Sequence, residues 1–283
     1  MMDVERDNRK LRMQAVLMLL ATGVLWSIGG VVIKTSDVHP MAFSSVRCGV
    51  AAAVFFVALK GKPQFTFSRP QVIGAATYAT TLTIFCVATT ITSAANAILL
   101  QYTSPVYVAI IAFFVLHERI HWYDIAAIGG VLIGMWLLMS NAYEVNSPVG
   151  NALAVVGGIC FAVMAVALRM QKDGSPYETV LLGNIIGCIA GLPFLFLHPP
   201  AAPALLPVVF LGVCQIGGPY LLYTKASKNA KAIDLAVLPA LEPVLNPIWV
   251  FLATGENPGP RVVIGGAILL GVVVLKSIIK ERD

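Results

Sequence analysis

The side chains with the most chemistry to offer lie in one apolar stretch, residues 233–256, IDLAVLPALEPVLNPIWVFLATGE. Glu242 sits near its middle, among Pro239, Pro243 and Pro247, with Asn246 one turn further on. A core helix of a water-soluble protein does not tolerate three prolines so close together, because each removes a backbone donor and clashes one turn back. A membrane-crossing helix beside a water-filled cavity does, since neighbouring helices and water re-satisfy the freed carbonyls. A charged carboxylate at that depth is costly, and an ionisable residue there reads as a functional group. Glu242 and Asn246 are suited to holding an amine or an amide. Glu242 is also placed to exchange a proton for a cationic group. The structural alternative makes it an anchor that pairs with a neighbouring helix or caps the proline break.

Other residues extend this chemistry. On a helical wheel Leu235, Pro239, Glu242, Asn246 and Trp249 share one face, at spacings of three and four. The stretch 94–118, AANAILLQYTSPVYVAIIAFFVLHE, presents Ala97, Gln101, Ser104, Val108 and Ile111 in the same way, so Gln101 and Ser104 would supply neutral hydrogen bonds. Tyr78 and Phe85 lie about two turns apart, with Thr81 and Thr89 near the same face. Gln215, Tyr220 and Tyr223 form a comparable group, and Tyr102, Tyr107 and Trp26 add polar-tipped rings. Such rings bury the apolar body of a ligand while their polar tips orient it, and their faces attract cations. The alternative places tyrosine and tryptophan in interfacial belts. Arg47 is the one arginine well inside an apolar run. Its depth of about two turns predicts a side chain that snorkels outward and holds a loop. Its alternative partners are a substrate carboxylate or Glu242.

These residues need a scaffold, and composition says which kind. Of 283 residues 58% are hydrophobic and 12% charged, with mean hydropathy +0.84. A soluble domain carries about 25% charged residues, so the chain is predicted to be an all-α integral membrane protein. The net charge of +5 has no basic stripe on a soluble element to go with it, which argues against a nucleic-acid partner. Cys48, Cys86, Cys160, Cys188 and Cys214 all fall in apolar runs without metal-ligand spacing or a disulfide framework. No metal and no cofactor is expected.

A spanning helix needs roughly 20 mostly apolar residues. Ten segments qualify, at 13–33, 40–59, 71–91, 94–116, 124–141, 149–169, 178–197, 204–224, 233–253 and 261–279. The first follows a basic N-terminus but lacks a convincing cleavage site, so it is read as a retained helix after a cytoplasmic segment, 1–12. With the N-terminus inside, 16 of the 19 lysines and arginines fall on the cytoplasmic side, leaving Lys34 and Arg261 outside and Arg47 within a span. The positive-inside rule predicts this bias, and with it a multi-pass inner-membrane protein with both termini cytoplasmic. His39, His117, His121 and His198 sit at span ends.

The chain is internally repeated. At a constant offset of 138 positions Pro105-Val106 meets Pro243-Val244, Phe113 meets Phe251, and Glu118 meets Glu256. After a two-residue gap, Ile128-Gly129-Gly130 meets Ile264-Gly265-Gly266. Upstream, Trp26 with Lys34 echoes Phe161 with Arg169, and Pro40 echoes Pro176. Each unit, 13–141 and 142–283, holds five spans. Five is odd, so the second unit crosses the membrane in the opposite sense. Inverted repeats of this kind are typical of secondary transporters, which place the substrate near the midplane between the halves. Gly130, Gly134, Gly266 and Gly271 are predicted to let the fifth and tenth spans approach closely; a homodimer face is the alternative. Glu118 and Glu256 are predicted to tether loops at opposite ends.

The stretch Ala94–Glu118, together with Tyr220–Glu256 and its Leu241-Glu242-Pro243-Val244 and Gly255-Glu256 steps, resembles the EamA-type drug/metabolite transporter superfamily. The resemblance covers nearly the whole chain. It implies ten helices as two inverted five-helix repeats, a small-molecule substrate, a lipid-embedded monomer and no enzymatic activity. It does not specify the substrate. The aromatic amino acid and drug exporters are the comparable branch, which makes amino acid export the leading expectation. A membrane-embedded enzyme, or a carrier of purines, organic cations or nucleotide sugars, is the alternative. Against the enzyme stands the lack of a nucleophile–base constellation or a Gly-rich phosphate loop. The halves are chemically unequal, with Ser104 where the second carries Glu242.

Overall fold

The computed structural model describes residues 2–28, 38–92, 94–139, 147–254 and 259–279; for a few helical positions, Asn246 among them, only the backbone is described. Every regular element among these residues is a helix, and the helices form ten spans. The first three are Met2–Trp26, Pro40–Ala58 and Arg69–Ile91. The fourth runs Ala94–Gln101, turns, and resumes as Ser104–Val115. The fifth, sixth and seventh are Trp122–Met139, Pro148–Met170 and Pro176–Leu197. The eighth passes from Ala202–Leu211 through a π-helical turn, Gly212–Gly217, into Gly218–Ala226. The ninth is Ala232–Val237, a 3₁₀ turn at Leu238–Ala240, then Leu241–Thr254; the tenth is Pro260–Ile278. Eight spans are long and apolar enough to cross a bilayer on those grounds alone. The other two are the first, whose N-terminal half carries the basic residues, and the ninth, which the proline region interrupts.

Sequence explains the helix starts. Prolines occupy the first turn of the second, sixth, seventh and tenth spans and of the resumed halves of the fourth and eighth. There the missing N–H is an unused donor anyway and the fixed φ suits the helix. The His39 Nδ1 caps the second span by accepting from Met41 N at 3.3 Å, and the Ser147 hydroxyl caps the sixth by accepting from Gly150 N at 3.3 Å. The outer surface is apolar. Trp122, Phe196 and Phe114 are 79%, 77% and 70% exposed, which suits contact with lipid tails and not with water.

Packing obeys the repeat. The third span packs on the sixth and, five spans on, the eighth packs on the first. The fourth packs on the sixth as the ninth packs on the first. The second meets the seventh, the fifth the tenth and the fourth the ninth, each of which is its own equivalent. Residues that alternation assigns to one membrane side also meet. Arg169 Nε donates to Glu118 Oε1 at 3.1 Å, Ala232 N donates to Glu118 Oε2 at 3.0 Å, and Lys276 Nζ lies 2.5 Å from Asp124 and 3.1 Å from Asp234. From the other side, the rings of His39 and His198 stack at 4.7 Å. Glu118 thus ties the loop after the fourth span to the start of the ninth. Glu256 and Lys34 lie outside the described residues.

The fifth and tenth spans approach closely through Gly130 and Gly134, as expected, while on the tenth span Gly265 takes the place of Gly266 and Gly271. A Cβ on Gly134 would come 2.7 Å from Leu269 Cγ, and one on Gly265 would come 2.6 Å from the Gly134 carbonyl oxygen. Gly130 faces the Val272 side chain. Gly266 makes only an ordinary contact, with Val244, and Gly271 faces open space. One position along a helix turns a residue by about 100°, so Gly265 lies in the contact where Gly266 does not.

Candidate functional site

The site begins with two helix breaks. The fourth span stops at Gln101 and restarts at Ser104; the ninth leaves α-helical geometry at Leu238 and recovers it at Leu241. At the repeat offset these breaks coincide. Each is a place where backbone carbonyls lose their helical partners, which a lipid interior tolerates only against protein or a water-lined cavity. Both breaks are packed against by a glycine. A Cβ on Gly158 of the sixth span would lie 3.0 Å from the Gln101 carbonyl oxygen, and one on Gly23 of the first span 2.9 Å from that of Pro239. In the register that sets Trp26 on Phe161, these glycines are equivalent. Only a residue without a side chain lets the supporting helix come this near to the broken one.

Tyr102, in the break of the fourth span, reaches across to the ninth. Its hydroxyl lies 2.9 Å from Glu242 Oε2 and 3.3 Å from the Pro239 carbonyl oxygen. It has one proton to donate, and the shorter, charge-assisted bond to the carboxylate is the stronger. Glu242 is therefore held at the start of the second half of its helix, on the first turn of Leu241–Thr254.

Around this pair lies a cavity with about 70 Å³ of room for water, enough for more than one molecule. Its wall includes Phe85, Gln101, Tyr102, Ser104, Gln215, Tyr220 and Glu242 from the predicted groups, with Thr81 beside Phe85. Gln101, Ser104 and Tyr220 make no side-chain hydrogen bond to protein among the described residues, so their polar groups are free to meet a solute. Gln215 sits on the π-helical turn, whose extra residue per turn is a frequent device at functional sites. Its amide nitrogen donates to the Trp26 carbonyl oxygen at 3.3 Å, which fixes the side-chain oxygen toward Arg47.

Several side chains lie elsewhere than expected. Tyr78 does not line the cavity: it is fully buried between helices, donates to Asn184 Oδ1 at 3.2 Å and sets its ring edge-on to Tyr220 at 4.8 Å. It lies one turn below Thr81, and the packing of the third span on the seventh takes it. Arg47 does not snorkel outward. It is 1% exposed, lines the cavity and donates to Gln215 Oε1 at 3.1 Å and to Cys86 Sγ at 3.2 Å. It forms no ion pair with Glu242. The side chain of Asn246 lies outside the described residues. Trp249, seven residues on in the same helix and so on the Glu242 face, is not part of the cavity wall and donates its indole N–H to Ser27 Oγ at 2.9 Å.

The cavity also draws on the first, second and sixth spans, through Trp26, Arg47 and Phe161. Trp26 and Phe161, equivalent in the two repeats, meet edge-on with ring centroids 6.2 Å apart. The equivalence of Trp26 and Phe161 was legible in the sequence; that equivalent residues near a two-fold axis touch was the signal available.

Residues 13–140 and 148–278 each match the EamA-like transporter family. A transporter of Archaeoglobus fulgidus, described as uncharacterized, is 26% identical over 265 residues, covering 93% of each chain. A second such transporter, from Clostridium kluyveri, is 26% identical over 213 residues, 69% of this chain and 68% of that one. A solved structure, described only as the crystal structure of a protein, matches with TM-score 0.78 at 20% identity, covering 93% of this chain and 98% of that one; this likeness concerns the fold alone. The chain belongs to the EamA-like transporter family and is a multi-pass membrane protein of ten helical spans in two inverted repeats.

Proposed function

We propose that this member of the EamA-like transporter family is a secondary transporter that exports small amphipathic metabolites, neutral and aromatic amino acids foremost, across the inner membrane. The observation that carries the reading is a half-buried carboxylate, Glu242, held by Tyr102 in a ring-walled cavity where the two repeats meet. The rings of Trp26, Phe85, Phe161 and Tyr220 supply a surface for an apolar side chain. Glu242 supplies a counter-charge for an ammonium group. Gln101, Ser104 and Gln215 supply neutral donors and acceptors.

Movement follows from where the contact lies. Tyr102 belongs to the first repeat and Glu242 to the second, so their hydrogen bond is a bond between the units 13–141 and 142–283. An ammonium group that takes over Glu242 Oε2 releases the Tyr102 hydroxyl and loosens the two halves at their centre. The halves then rock about the bound solute and expose it to the other side. A proton on Glu242 resets the carboxyl group without a solute. The excess of basic residues at the span ends shared by both termini supports cytoplasmic N- and C-termini.

Counterflow in liposomes tests the reading. Vesicles holding purified protein and unlabelled L-phenylalanine should accumulate external labelled L-phenylalanine faster than protein-free vesicles. Counterflow by purine metabolites or organic cations, with none by amino acids, overturns the amino acid reading and keeps the transporter. No counterflow by any class overturns both.

A further inference from the structure

Arg47 is a cation with no anionic partner among the described residues. It lies in the second span at 1% exposure, and a guanidinium stays charged at any depth. Its two hydrogen-bond partners, Gln215 Oε1 at 3.1 Å and Cys86 Sγ at 3.2 Å, are neutral, and the Phe43 ring lies 5.4 Å from its Cζ. Its Nε is buried without a partner. A buried charge is costly unless a counter-charge and hydrogen bonds compensate it, and no carboxylate among the described residues does so. A second donor in the same wall is in the same condition: the indole Nε1 of Trp26 is buried and unpartnered. Gln215 links the two residues, accepting from the Arg47 side chain and donating to the Trp26 backbone carbonyl. One cavity therefore carries two orphan donors beside a fixed positive charge, and separately one carboxylate already held by Tyr102.

We propose that Arg47, aided by the Trp26 indole N–H, is the carboxylate-binding subsite of this cavity, and that its solutes carry a carboxylate beside an apolar or aromatic body. The assignment rests on the transport reading given above. A planar guanidinium matches the two oxygens of a carboxylate in a fork that a lysine does not reproduce. Gln215 and Cys86 are weak enough neutral partners to yield to it. With Glu242 on the facing repeat, the cavity then presents a positive and a negative group to one solute, which selects zwitterions over amines or acids of the same size.

Three probes on one phenylalkyl skeleton separate the groups: L-phenylalanine, phenethylamine without the carboxylate, and 3-phenylpropanoate without the ammonium. Calorimetric titration of the full-length protein should show L-phenylalanine binding at least tenfold tighter than phenethylamine. Arg47→Met should remove that advantage, weakening L-phenylalanine binding without weakening phenethylamine binding, and Arg47→Lys should restore part of it. The unaltered protein alone tests the proposal if Arg47→Met does not fold. Equal binding of L-phenylalanine and phenethylamine by the unaltered protein overturns the assignment while the transport reading stands, as does an equal loss of both in Arg47→Met. Binding of none of the three overturns the amphipathic-solute reading and the assignment with it.

Discussion

The Tyr102 hydroxyl and Glu242 Oε2 lie 2.9 Å apart, and this one hydrogen bond joins the break in the fourth span to the break in the ninth. Tyr102 sits in the break of its helix and Glu242 on the first turn after the break in its own, so neither is fixed by a continuous helix alone. Each is oriented by the other. This makes the pair sensitive to small changes that a buried helix–helix contact would absorb.

Tyr102→Phe keeps the ring and removes the bond. A hydrogen bond of this kind contributes about 1 kcal/mol net, a factor of roughly five in an equilibrium. Initial rates of L-phenylalanine counterflow should fall severalfold at equal folded protein, with a small drop in thermal midpoint. Unchanged rates would show that Tyr102 does not position Glu242 for transport.

The glycines that support the breaks should tolerate almost nothing larger. In Gly158→Val and Gly23→Val the new Cβ meets a backbone oxygen at about 3 Å, and backbone yields less readily than a side chain. Each variant should lose about 1–3 kcal/mol of stability, seen as a lower thermal midpoint and reduced folded yield. Gly271→Val, on an open face, should have no such effect. Equal midpoints for all three would contradict the close packing at the breaks.

Tyr78 and Tyr220 touch, yet they should behave differently. Tyr78→Phe leaves Asn184 without its donor and lies off the cavity, so it should cost about 1 kcal/mol of stability and leave transport per folded molecule as it was. Tyr220→Ala strips a ring from the cavity wall and should lower transport. The reverse ranking in liposome flux would place Tyr78 at the solute.

The sequence made the spans, the repeat and most of the cavity wall readable, and the reasons for the misses are specific. Apolar runs and prolines located Glu242 and the broken ninth span. The helical wheel fails across the break, because a 3₁₀ turn at Leu238–Ala240 changes the rotation between Leu235 and Glu242. Leu235 is fully buried, and Trp249 turns to Ser27. Tyr78 and Thr81 differ by one turn, and periodicity does not say which of them a tilted neighbour covers. Arg47 was judged by its depth alone, whereas Gln215, far along the chain, supplies the partner that keeps it inward. Gly23 and Gly158 left no signal until the breaks they support were placed.

Topology has its own check. With both termini cytoplasmic, a single cysteine at position 144, between the fifth and sixth spans, should react with an impermeant thiol reagent applied from outside. One at Lys62 should react only after the membrane is opened. The opposite pattern inverts the proposed orientation.

If the cavity built on Glu242 is the transport site, its carboxyl group takes up and gives off a proton during the cycle. Glutamine at 242 keeps the shape and can still accept from Tyr102, but it exchanges no proton. Glu242→Gln should be measured for thermal stability and for liposome flux at two pH values on either side of neutrality. The account predicts a folded variant of near-normal midpoint whose residual flux no longer depends on pH. A variant that is less stable but keeps the pH profile of the unaltered protein would contradict it, and would make Glu242 an anchor for the broken helix.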